Sequence, residues 1–94
     1  MAAAPKVQLH LPLLLEPVVG LEAMQVRGHS LLEALEDAFE QIPVLKHHLA
    51  LDSGQLRPHV LCLHNGVNIA RDKLPTTKLK SGDDIHIHQA ISGG

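Results

Sequence analysis

Ser30 stands three residues ahead of Glu33, at the head of an apolar series formed by Leu31, Leu32, Leu35, Phe39 and Ile42. This is the clearest helix signal in the chain. The pair reads as a capping box, in which the serine oxygen accepts from a free backbone N–H and the glutamate reaches back. The five apolar residues share one helical face, and Glu33, Glu36, Asp37 and Glu40 line the other. Acids near the start suit the positive helix end. Pro43 stops the helix at or before Ile42. The other patterned stretches repeat every two residues, as strands do. Val7, Leu9 and Leu11 alternate with Gln8, His10 and Pro12, and Met24 and Val26 alternate with Ala23 and Gln25. Residues 60–64 make a third strand. Ile85, Ile87 and Ala90 alternate with His86 and His88 in the last.

The links are also legible. Residues 13–20 hold Pro17 and Gly20 and read as a turn joining a hairpin. Residues 44–58 read as irregular, with a helical turn at 44–49. Asn65-Gly66 is a tight-turn signal, returning into a short strand at 67–69. Residues 71–80 form a polar connection holding Leu74 and Leu79, and Ser81-Gly82-Asp83 makes a turn. The predicted order is strand, strand, helix, strand, short strand, strand. That order predicts an α+β sheet with one main helix covering one face. Ninety-four residues make a single domain. Residues 1–5 are expected to be disordered and 91–94 to be a flexible C-terminal tail.

Composition removes several function classes. Phe39 is the sole aromatic among Phe, Tyr and Trp, so no platform exists for stacking bases, and a net charge of −2 gives no basic field for phosphates. Nucleic acid is therefore not an expected partner. The apolar run at 9–19 is interrupted by His10, Pro12, Glu16 and Pro17 and is too short to span a membrane. Cys62 is the one cysteine, so no internal disulfide can form; a reducing, cytoplasmic setting is expected. Cys62 lies between Leu61 and Leu63 and reads as a packed core thiol. No nucleophile–base pair and no cofactor motif occurs, so the chain is not expected to be an enzyme.

The sequence closes on Gly93-Gly94 directly after an alternating apolar stretch. Glycine lacks a Cβ and can pass through a channel that excludes larger side chains. The expected working group is the terminal carboxylate of Gly94, with Ser92 and Gly93 as the tail that presents it.

The last third then carries a resemblance, in the segments Leu56-Arg57-Pro58-His59-Val60, Asn65-Gly66, Leu79, Ser81-Gly82-Asp83-Asp84-Ile85 and Ala90-Ile91-Ser92-Gly93-Gly94. These segments resemble the β-grasp, ubiquitin-like sulfur carriers, of the molybdopterin synthase small-subunit and thiamine sulfur-carrier type. Residues 56–60 look like the branch that feeds cysteine biosynthesis. The strand order fits over nearly the whole chain. One departure is Gln89, where relatives often carry proline. The resemblance implies a mixed sheet with the first and last strands parallel at its centre. It implies a carried substrate rather than a catalyst, monomeric when free, with no bound cofactor. An E1-like adenylating enzyme would use ATP on the Gly94 carboxylate, a sulfur donor would replace AMP, and the thiocarboxylate would deliver sulfide at an acceptor synthase. The pathway stays open between cysteine, molybdopterin, thiazole and similar products. The alternative is a ubiquitin-like modifier joined through Gly94 to lysines.

Eight histidines in so short a chain raise the question of a metal site. His86 and His88 share a face of the last strand, and if the first strand is its parallel neighbour His10 joins them. Zinc binding or a response to pH near 6.5 are possible uses of such a face, but no carboxylate or cysteine is clearly placed to complete a site, so no metal is expected. The plainer reading of His10, His86 and His88 is solvated polar positions on an exposed sheet face; by resemblance, this outer face docks the activating or acceptor enzyme. His47-His48 reads as an exposed loop pair.

Overall fold

The computed structural model describes residues 3–89. Residues 1–2 and 90–94, and with them the expected tail Ser92, Gly93 and Gly94, lie outside the described residues. Five strands form one mixed sheet in the order β2-β1-β5-β3-β4: β1 is Lys6–His10, β2 Ala23–Arg27, β3 Val60–His64, β4 Val67–Asn68 and β5 Asp84–Gln89. β1 and β5 are parallel at the centre, with His10 paired to His86, and the other pairings are antiparallel. The expected α+β, β-grasp architecture is present.

The main helix, α2, spans Leu31–Gln41. Ser30 Oγ accepts from the Glu33 N–H at 3.2 Å, as the cap requires. The Glu33 carboxylate goes one residue further back than a capping box would send it, accepting from the His29 N–H at 2.9 Å. Leu31, Ala34, Leu35 and Ala38 are its fully buried residues, while Leu32, Phe39 and Ile42 pack at the edge of the core. The two alanines let the helix lie close to the sheet. They escaped the apolar reading because a methyl group contributes little to periodicity. The expected solvated face is also partly engaged: Asp37 Oδ2 accepts from the Arg27 N–H at 2.8 Å.

Three links are more ordered than the sequence suggested. Residues 13–20 hold a 3-10 turn, Leu13–Leu15, and a short helix α1, Glu16–Val19, closed by Gly20 in the left-handed region at φ 74°. Pro43 does end α2, but it also starts α3, Pro43–Leu49, because proline is tolerated in the first helical turn. His47 and His48 therefore belong to the last turn of α3 and not to a loop. Arg71–Lys73 forms a second 3-10 turn, which seats Leu74 in the core. The core between sheet and helices is almost wholly aliphatic: Val7, Leu9, Val26, Leu45, Leu49, Ile85 and Ile87 have nearly no exposed surface.

Truncating Ile85, on central β5 and fully buried, should cost about 3 kcal/mol in an Ile85→Ala variant. Urea unfolding measures this through the shift in midpoint at constant slope.

Candidate functional site

The site has two parts on the sheet: the outer face where the expected histidines lie, and the turn that fixes the base of β5. On the outer face, the pairing of His10 with His86, and of His86 with Leu63, sets these side chains side by side. The structure does bring the three histidines together. The rings of His10 and His86 stack, 4.1 Å between centroids and 4° from parallel, and His86 and His88 follow at 6.1 Å. Leu61 and Leu63 flank them on β3 through the pairings Leu61 with His88 and Leu63 with His86.

A carboxylate also stands there. Asp84 Oδ1 lies 3.0 Å from His10 Nε2. The sequence signal was available, since Asp84, His86 and His88 alternate on one strand, but the register that brings His10 beside Asp84 is a tertiary fact. Among the described residues no group of three His, Cys, Asp or Glu is arranged to hold a metal ion. Parallel stacked rings send their nitrogens sideways instead of toward a common point, and one of these nitrogens is already engaged by Asp84.

Stacking has an electrostatic consequence. The proton affinity of His86 is lowered, first by its partial burial and next by its neighbour His10; Asp84 acts in the opposite sense. In a proton NMR titration His86 should give a midpoint below 6.5, and replacing His10 by glutamine should move it upward. A folded-state value below the unfolded one means that this group withdraws stability as pH falls through 6.5.

At the other end of β5, Gly82-Asp83 ties three segments together. Asp83 is an acceptor for the Lys80 N–H at 2.9 Å, for His64 Nε2 at 2.8 Å and for Asn65 Nδ2 at 3.1 Å. Because the carboxylate only accepts, His64 must carry its proton on Nε2. The Asp84 N–H donates to Asn65 Oδ1 and the Asn65 N–H to the Asp84 carbonyl, both at 2.8 Å. Asn65 at φ 50° and Gly66 at φ 86° make the tight turn between β3 and β4. These bonds fix the start of β5 against the hairpin and so fix the direction in which the strand leaves.

The His64 hydrogen bond, outweighing partial burial, and the bonds from Lys80 and Asn65 bring the Asp83 carboxyl down to about 2 from 3.8. The stabilisation is complete above the unfolded value and is lost as pH falls from 3.8 through about 2. Its size is about 1–2 kcal/mol. Denaturant midpoints between pH 5 and pH 2.5 should therefore fall more for the wild type than for Asp83→Asn, which removes this share of the acid sensitivity.

Cys62 is buried on the core face, and desolvation pushes its thiol up to about 12. It is a packing residue without thiolate character, as expected. Gln89 is the last described residue, paired with Val60, and its Oε1 is buried without a hydrogen-bond partner among the described residues. No helix among the described residues is long and apolar enough to cross a membrane.

No family model matches the chain, and no curated protein sequence matches it. Solved structures do. The small archaeal modifier protein 1 of Methanosarcina acetivorans is 25% identical, with 99% of this chain and 100% of that one covered, at a TM-score of 0.81. CysO of Mycobacterium tuberculosis is 22% identical, with 90% and 99% covered, at 0.77. CysO in the BexX/CysO complex of Amycolatopsis orientalis is 20% identical, with 94% and 99% covered, at 0.74. The resemblance noted in the sequence thus extends to the fold: this chain has the β-grasp, ubiquitin-like fold. The Methanosarcina neighbour is named as a modifier.

Proposed function

We propose that this chain is a cytoplasmic sulfur carrier whose working group is the carboxylate of Gly94. The observation that carries the reading is a conjunction. A β-grasp body has its central strand β5 fixed at the start by Asp83 and followed after Gln89 by five residues ending in Gly93-Gly94.

The chemistry follows from the weakness of a carboxylate as an electrophile. Attack of the Gly94 carboxylate on the α-phosphate of ATP, within an E1-like activating enzyme, releases pyrophosphate and leaves an acyl adenylate. AMP is then a good leaving group. Sulfide from a donor displaces it at the acyl carbon and gives a thiocarboxylate. That group delivers sulfur to a metabolite held by an acceptor synthase, in cysteine, molybdopterin, thiazole or related biosynthesis. The chain itself holds no cofactor in this scheme; ATP belongs to the activating enzyme. The outer face of His10, His86 and His88 serves as a docking surface for these enzymes.

The test is incubation with ATP, candidate activating enzymes and a sulfur source, read by intact mass. A mass gain equal to the exchange of one oxygen for one sulfur supports the carrier. The neighbours named as modifiers favour a second reading, in which the same activated Gly94 joins lysine amines. Conjugates of higher mass that resist reductant would assign the chain to that class.

A further inference from the structure

We propose that Leu13, Leu14, Val18 and Leu21 dock in an apolar groove of the enzyme that activates the C-terminal carboxylate, beside the channel that admits residues 90–94. The inference rests on the function proposed above and adds a second contact to it. These four side chains are 81%, 66%, 50% and 41% exposed. Single exposed apolar residues are ordinary, but four within nine residues of one connection concentrate apolar surface as binding surfaces do.

The connection is also longer and better built than a hairpin needs. Residues 11–22 join β1 to β2, where a loop of about two to five residues suffices. Leu15 and Pro12 are buried and anchor it to the body. The Leu11 N–H donates to the Glu22 carbonyl at 2.8 Å, the Leu15 N–H to the Pro12 carbonyl at 3.0 Å, and the Gly20 N–H to the Glu16 carbonyl at 2.7 Å. The scaffold is hydrogen-bonded while its leucines face outward, so little ordering entropy is left to lose on binding.

The occupant is set by where the described chain ends. β1 and β5 run parallel, with His10 opposite His86. β1 ends at His10 and passes into the connection, and β5 ends three residues after His86, at Gln89, so both strands finish at the same end of the sheet. The connection that carries Leu13 and Leu14 therefore starts at the sheet end where β5 finishes at Gln89. Five residues span at most roughly 17 Å when fully extended. An active site that holds the Gly94 carboxylate must bring its surface against this end of the sheet. Charge selects an enzyme over a second copy. Residues 11–26 contain Glu16 and Glu22 and no lysine or arginine. A two-fold pair would set those glutamates toward their own copies, whereas a groove with a basic rim would complement them.

The experiment measures ATP-dependent loading at varied carrier concentration, using the activating enzyme that loads the wild type. The double variant Leu13→Asp, Leu14→Asp should raise KM about 10- to 100-fold with little change in kcat, as loss of buried anchor residues does. Its melting temperature should match the wild type, since neither side chain is buried. Glu16→Lys should raise KM less, and the rise should shrink in high salt. A wild type that loads beside a double variant of unchanged KM overturns the docking inference alone. A wild-type dimer in sedimentation that the double variant dissolves, with KM unchanged, assigns the patch to a second copy and also overturns it. A wild type that no activating enzyme loads overturns the proposed function and this inference together.

Discussion

Adding one residue after Gly94 is expected to abolish ATP-dependent loading while leaving the melting temperature within about 1 °C of the wild type. The added residue makes its own carboxylate the terminal one and turns the Gly94 carbonyl into a peptide amide. An amide carbonyl has no anionic oxygen to attack the α-phosphate of ATP, and the new terminal group sits one residue, about 3.5 Å, beyond the reacting position. Misplacing a reacting atom by even about 1 Å can cost on the order of a hundredfold in rate. Gly94→Ala tests width as distinct from length. It keeps the carboxylate in place but adds a Cβ, so loading should fall without vanishing. Intact mass after timed incubation reads both variants. An extended chain that is still loaded would remove Gly94 as the reacting residue and the proposed function with it.

Much of the fold was legible because its determinants are local. The Ser30 cap, the leucine spacing of α2, the stop at Pro43 and the Asn65-Gly66 turn each act over a few residues, and each is found where the sequence puts it. The alternation of β1 and β5 likewise sorted His10, His86 and His88 onto one face. The features that were not legible depend on partners far along the chain. Asp84 beside His10 is 74 positions distant in sequence, and Asp83 with His64 is 19. Ala34 and Ala38 matter through how closely a helix approaches a sheet. The connection at 13–20 read as a turn because Pro17 and Gly20 signal a break. Here they instead open and close one short helix, Pro17 in its first turn and Gly20 at its left-handed end. Residues 90–94, where the working group is proposed, were read from sequence alone.

Gly28 should prove the least replaceable glycine in the described body, although its φ is not left-handed. It is buried where β2 ends and the chain turns into α2, and its N–H donates to the Pro5 carbonyl at 3.2 Å. A Cβ at this position would lie 2.5 Å from the Ala34 nitrogen, 2.9 Å from the Glu33 carbonyl carbon and 3.0 Å from the Ala34 Cα. These are backbone atoms of a helix, so no side chain can swing aside. Relief requires α2 to move away from the sheet, which opens the contacts of Ala34, Leu35 and Ala38 with the core. Overpacking of this kind costs about 3 kcal/mol. In a domain of this size that lowers the melting temperature by roughly 10–20 °C. Gly20→Ala supplies the contrast. Gly20 has a left-handed φ of 74° and open space around its Cβ position. Its substitution costs only conformational strain, about 1 kcal/mol. Thermal and urea unfolding of the two variants should therefore rank Gly28→Ala as much the more damaging. The reverse ranking would mean that α2 can slide on the sheet, and that the close approach permitted by Ala34 and Ala38 is not what sets the helix position.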